Sequence, residues 1–202
     1  MTTTGYSDRI NHALAYAAKH HDQQVRKGLR APYFTQPANV GIILVRYGQD
    51  DETVVAGVLH DVVEDCVREG SASGLDRIAD KFGGTVVDAL RGVTERRYDD
   101  DGVELSSEER RDDVLARLAA ADERGRWVCA ANALHEVGTL LADLARTDFP
   151  EAVWGRSSLG RAGTVRWFRR LHDRLRAAGF DASIMDELGA DVERLEAVGS
   201  AP

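Results

Sequence analysis

Cysteine is scarce in this chain. Cys66 and Cys129 are the two among 202 residues, and no Cys-x-x-Cys spacing occurs. There is no disulfide framework to read, and the two thiols are expected as small, reduced core residues of an intracellular protein. Proline is also scarce, with four residues. Ala, Leu, Val, Arg and Glu dominate instead, a mix that favours helices. Net positive charge is absent: the formal net charge is −8, which argues against a nucleic-acid partner gripped by a broad basic face. No stretch approaches the roughly 20 apolar residues of a membrane span. The opening Met1-Thr2-Thr3-Thr4-Gly5 leads into no apolar run, so a cytoplasmic protein without membrane contact is expected. Strand-like alternation, internal repeats and Gly-x-Ser-x-Gly are missing, and Gly83-Gly84 lacks the Lys-Ser/Thr of a phosphate loop.

What is present is helical periodicity. Apolar stripes predict helices over 8–24, 37–47, 52–66, 75–82, 86–94, 107–122, 127–146, 164–178 and 183–198. Ser7 and Asp51 are the expected caps of the first and third. The charged segment 95–107 reads as a flexible loop and 151–163 as a second loop. The expectation is a single compact all-α domain of eight or nine helices spanning residues 1–202.

The third helix carries the chemistry. Val58-Leu59-His60-Asp61-Val62-Val63-Glu64-Asp65 puts one imidazole and three carboxylates into an apolar segment. Burying a His-Asp pair is costly unless a metal, a hydrogen-bond network or a base compensates. A core histidine beside a capping acid is the plain alternative, weakened by the second acidic pair one turn on. His20 and His21 point about 100° apart if both are helical, so they read as surface residues and no chelating pair. Arg26-Lys27-Gly28-Leu29-Arg30 places three cations around one Gly, a loop able to grip phosphate oxygens or simply to be solvated. The arginines around Trp167-Phe168 could touch a nucleotide or a partner chain, and a solvated face interleaved with Asp173 is the plainer reading.

Three separated segments resemble one family. His60-Asp61-x-x-Glu64-Asp65 resembles the central motif of the HD superfamily of metal-dependent phosphohydrolases, and more narrowly the hydrolase domain of RelA/SpoT-type (p)ppGpp enzymes and their small stand-alone relatives. Ala17-Ala18-Lys19-His20, Arg26-Lys27 and Pro32-Tyr33-x-x-Gln36-Pro37 resemble that family's opening. Phe82-Gly83 to Gly92-Val93-Thr94, then Ala130 to Glu136 with Thr139, resemble its later landmarks. The similarity runs over residues 8–175.

The resemblance implies the HD helical fold and a divalent cation, commonly manganese, held by two histidines and two aspartates. It implies removal of the 3′-pyrophosphate from guanosine tetra- or pentaphosphate. His60 and Asp61 match two metal ligands, Glu64 and Asp65 the acidic pair that handles the attacking water, Arg26 and Lys27 the pair that holds the nucleotide, and Thr139 a nucleotide-side contact. The chain departs where it matters most. Gln36 replaces a ligand histidine, Asn132 a ligand aspartate, and Glu136 an asparagine. Amide oxygens ligate a hard cation weakly and bring no charge, so manganese binding is expected to be impaired. Glu136 lies one helical turn from Asn132. It can reach toward the vacated position, pair with Arg26, Lys27 or Arg30, or be a surface charge. If Asp61, Glu64, Asp65 and Glu136 converge without an ion, they must raise one another's pKa values. The expected function is a degenerate hydrolase kept as a nucleotide-binding or regulatory module. An active phosphohydrolase with a rebuilt shell, or an interaction protein with a protein partner or a second copy, are the alternatives.

Overall fold

The computed structural model describes residues 6–26 and 31–200. Among these the chain forms ten α-helices and, beyond two isolated bridges at Val25–Pro32 and Tyr98–Glu104, no strand. The all-α reading holds. The count exceeds the expected nine because Pro150–Trp154 (α8), placed within a loop by its sequence, closes a helical turn with Pro at its start.

The centre is α3 (Asp51–Arg68). Every residue from Thr53 to Val63 is buried. Its cap is Asp50, one residue earlier than expected: the extended Asp50 lets its carboxylate accept from Thr53 N at 2.9 Å and Thr53 Oγ1 at 2.7 Å. Around it pack α1 (Asp8–His20), α2 (Thr35–Arg46), α4 (Ala72–Phe82), α5 (Gly84–Arg91) and α7 (Glu123–Ala145). The first of these ends at His20, four residues short of the expected boundary.

A helix buried on all sides needs neighbours that approach closely, and glycine permits it. A Cβ on Gly57 would stand 2.3 Å from Leu44 Cδ1, and one on Gly41 would stand 2.8 Å from Val58 Cγ2. The two glycines let α2 lie against α3 and carry its first turn into the centre. Gly57→Ala is therefore expected to destabilise. Overpacking costs about 1–3 kcal/mol, while the better helix propensity of Ala returns about 1 kcal/mol. A net loss of up to about 2 kcal/mol should appear as a lower urea midpoint at unchanged slope.

The long α7 starts at Glu123 because Asp122 caps it, accepting from Arg124 N at 2.8 Å. It packs on α2, α3, α5, α8, α9 (Gly160–Ala177) and α10 (Ile184–Ser200). The arginines of α9, expected as a solvated face, instead tie helices together. Arg169 donates twice to Glu196 of α10, Arg170 to Asp112 and Arg174 to Leu115 O, both of α6 (Ser107–Arg117). The segment 95–107 is a loop held by specific bonds. Arg96 pairs with Asp113, and Asp99 Oδ1 accepts from Asp101 N and Val103 N.

Candidate functional site

His60 and Asp61 sit in the middle of α3, each 7% exposed. His60 Nδ1–H donates to Gly57 O at 2.7 Å. A carbonyl only accepts, so Nδ1 carries a proton. His60 Nε2 lies 3.3 Å from Asp61 Oδ1. Both His60 Nε2 and Asp61 Oδ2 are buried without a hydrogen-bond partner. Orphaned atoms of this kind are rare in a core and call for an explanation.

Gln36 and Asn132, the two altered positions, meet above this pair. Gln36 is buried in the first turn of α2, and its Nε2 donates to Asn132 Oδ1 at 3.2 Å and, more weakly, to Glu136 Oε1 at 3.5 Å, both on α7. Glu136 thus reaches back toward the position opened by Asn132, the first of the outcomes its sequence left open. His60 lines a pocket of about 200 Å³ together with Glu64, Asn132, Glu136, Cys129 and Glu95.

The carboxylates behave as their crowding demands. Burial, then Asp61 and Glu95, push Glu64 up to about 8. Burial and then Asp61 push Glu136 up to about 7. Asp65 turns another way. Its Oδ2 lies 3.0 Å from His20 Nε2, and its Oδ1 accepts from Arg68. Tyr33 feels all four carboxylates, and burial followed by their charge pushes its hydroxyl well above the ordinary range.

A second pocket, about 430 Å³, opens beside the first and shares Glu95, Glu136 and Trp167 with it. Arg26, Tyr33, Gln36 and Thr139 line it, together with Arg111, Arg156, Trp154 and Trp167. Arg26 is placed by the turn after α1: its N–H donates to Ala31 O at 3.0 Å and Tyr33 N–H to Gln24 O at 3.0 Å. Lys27 and Arg30 lie outside the described residues. The far wall was read only in part from the sequence: Trp167 comes from the face left open between a nucleotide contact and solvent, and Trp154 from the unexpected α8. Arg111 lies over the Trp167 ring at 5.9 Å.

One expectation is overturned. His21 is no surface residue: it is 1% exposed. Because α1 ends at His20, His21 occupies the C-cap with φ −100° and ψ 16°, and the helical 100° separation no longer applies. The two rings stand edge to face, 4.7 Å apart. His135 is buried as well. Burial, then Arg26 and His60, push it down to about 4, so it stays neutral.

A family model for the HD domain matches residues 13–149. The chain belongs to the HD domain family. Within that family it is similar to enzymes of guanosine-pyrophosphate metabolism. It is 34% identical over 89 residues to a guanosine-3′,5′-bis(diphosphate) 3′-pyrophosphohydrolase of Aquifex aeolicus, covering 44% of this chain and 12% of that protein. It is 31% identical over 136 residues to a GTP pyrophosphokinase of Myxococcus xanthus, covering 66% of this chain and 17% of that one. The chain thus spans under a fifth of the length of these relatives. A metazoan ortholog of SpoT, described as hydrolysing ppGpp, superposes with a TM-score of 0.71 at 25% identity, covering 95% of this chain and 98% of that one. The fold is the HD-like helical fold of these hydrolases.

HD domains generally depend on a divalent metal, and the donor set here can be tested against one. The unpartnered His60 Nε2 and Asp61 Oδ2 fit two ligand atoms. Gln36 and Asn132 do not complete the set. Their amides bond to one another, and Gln36 turns a donor, not a lone pair, toward Asn132 and Glu136. At the positions that the resemblance assigns to the ion, the described residues offer one histidine, one aspartate and two amides.

Proposed function

We propose that this chain is a nucleotide-binding module on the (p)ppGpp hydrolase-like HD fold, in which hydrolysis through the family's metal position is lost. The observation that carries the reading is the Gln36 bridge to Asn132 and Glu136 across that position. The neighbouring pocket keeps what a nucleotide needs. Arg26 and Arg111 supply cations for phosphate oxygens, Thr139 a hydroxyl, and Trp167 an aromatic surface for a base. Charge is the objection, since Asp61, Glu64 and Glu136 would repel a pyrophosphate. With Glu64 near 8 and Glu136 near 7, protons take up part of that charge at neutral pH. On this reading His60 lines the smaller pocket beside it, and Gln36 fixes the register of α2 against α7.

The second reading is an active hydrolase with a rebuilt cation shell. It is favoured by the unpartnered His60 Nε2 and Asp61 Oδ2. The two separate on guanosine tetraphosphate with added manganese. The binding module gains thermal stability and releases no pyrophosphate. At a ligand concentration of about 100 times Kd the gain is ~2.7 kcal/mol, a rise of roughly 5–10 °C for a chain of this size. Arg26→Ala should remove most of that rise. Manganese-dependent pyrophosphate release would favour the second reading, and no nucleotide-induced shift would leave an interaction protein.

A further inference from the structure

The reversal at His21 has a chemical consequence. The one group among the described residues with three or more His, Cys, Asp or Glu donors close enough for a metal is not the His60-Asp61 pair. It is His20, His21 and Asp65, whose donor atoms all lie within 4.8 Å of one another.

Each residue comes with an observation of its own. His21 is 1% exposed, and its Nδ1–H donates to Gln24 Oε1 at 2.9 Å. That bond fixes the tautomer and leaves the lone pair on Nε2, which is buried without a partner. A second-shell partner on one nitrogen with the other nitrogen free is the arrangement of a ligating histidine. Asp65 is braced through Oδ1 by Arg68 and directs Oδ2 at His20 Nε2, 3.0 Å away. His20 has a side chain 32% exposed, against 16% for Asp65, so the cluster opens to solvent on the His20 side. Burial is the largest influence on the His21 ring and lowers its pKa, so the ring stays neutral, the form in which an imidazole ligates.

We propose that His20, His21 and Asp65 form a three-ligand site for a borderline transition cation, best met by zinc. It would be a second metal position, one turn of α3 beyond the His-Asp pair. Two imidazoles and one carboxylate with an open fourth position is a donor set that zinc takes readily, at about 2.0–2.2 Å from each atom. Donors around a tetrahedral ion stand roughly 3.3–3.6 Å apart at those bond lengths. The 3.0 Å between His20 and Asp65 is close to that already, and the remaining separations close with side-chain movements of about 1 Å. Imidazole selects zinc over manganese and magnesium, which prefer oxygen. The ordinary alternative is a His20–Asp65 ion pair beside a buried His21. It accounts for the 3.0 Å contact and leaves the His21 lone pair unexplained.

This site does not depend on the nucleotide reading, and its test uses zinc alone. The full chain is stripped with chelator, incubated with zinc and freed of excess by gel filtration, and its metal content and zinc-dependent melting are measured. Cobalt in place of zinc reports tetrahedral geometry through its visible absorption. The expected result is one zinc per chain, with affinity falling at least about tenfold in His20→Gln and in Asp65→Asn. His60→Gln should retain the ion. Both His20 and Asp65 are on the wet side of the cluster, so these variants should fold, and the melting of each metal-free protein checks that. Two variants guard against the failure of one. Absence of stoichiometric zinc would overturn the assignment. So would zinc retained in both His20→Gln and Asp65→Asn, or zinc lost in His60→Gln.

Discussion

Gln36→His together with Asn132→Asp should turn the chain into a manganese-binding protein, with either change alone doing far less. His60 and Asn132 line one pocket, and Gln36 is bonded to Asn132. His60 Nε2 and Asp61 Oδ2 wait unpartnered, and the two amides that close over them are 3.2 Å apart. An imidazole at 36 and a carboxylate at 132 would replace a closed amide pair with two ligands. Asn132→Asp alone adds a charge to a group in which Glu64 and Glu136 are already pushed up by Asp61. It should destabilise the fold or remain protonated. Gln36→His alone supplies a lone pair but leaves the ion's charge uncompensated. Ligands of one ion act as a unit, so the effects should be strongly non-additive. Manganese at about 100 times Kd should raise the melting temperature of the double variant by roughly 5–10 °C over the shift seen in wild type. Manganese-induced shifts equal in wild type, both singles and the double would show that these positions did not disable the site. A third change, Glu136→Asn, then asks whether pyrophosphate release returns as well.

The second large effect is a gain of stability in alkaline solution from Glu136→Gln. Burial and Asp61 raise Glu136 to about 7 in the folded chain, against an ordinary value of 4.5. Below the ordinary value both folded and unfolded chains carry the proton, and the residue costs nothing. As pH climbs from 4.5 through 7 the unfolded chain releases its proton first, so wild-type stability falls across that window. Above it the folded chain holds a crowded carboxylate and the whole cost is present. Glutamine has no proton to lose and can still accept from Gln36 Nε2. Glu136→Gln should therefore match wild type at pH 4 and exceed it at pH 8. The half-buried position reduces the gain to about 1–3 kcal/mol, or roughly 2–10 °C in melting temperature. Glu136 is one of the charges that raise Glu64 to about 8, so relief of Glu64 adds to the gain in the same direction. A difference independent of pH would show that Glu136 is an ordinary exposed carboxylate.

Much of the fold was legible because it rests on local periodicity. Apolar spacing located nine of the helices, although their starts moved with caps such as Asp50 and Asp122, which act a residue or more from the first apolar position. The tenth, α8, is five residues long, too short for a stripe to mark it. Within His60-Asp61-x-x-Glu64-Asp65 helical spacing brings His60, Asp61 and Glu64 together, while Asp65 is drawn to His20 and Arg68. The changes at Gln36 and Asn132 were visible as residue types. That the two amides bond to each other follows only from the packing of α2 on α7, 96 positions apart in sequence. The aromatic wall of the larger pocket likewise needed α8 and α9 to be set against α7. His20 and His21 mark the boundary most sharply. Spacing on an ideal helix separates them, and that rule lapses where the helix stops. The sequence by itself determined the helices and the central acidic motif, since each depends on neighbours within about a turn. Tertiary structure alone decided which carboxylates crowd, which are paired away, and that two adjacent histidines share a corner with Asp65. Those outcomes depend on burial and on through-space distance, neither of which local periodicity encodes.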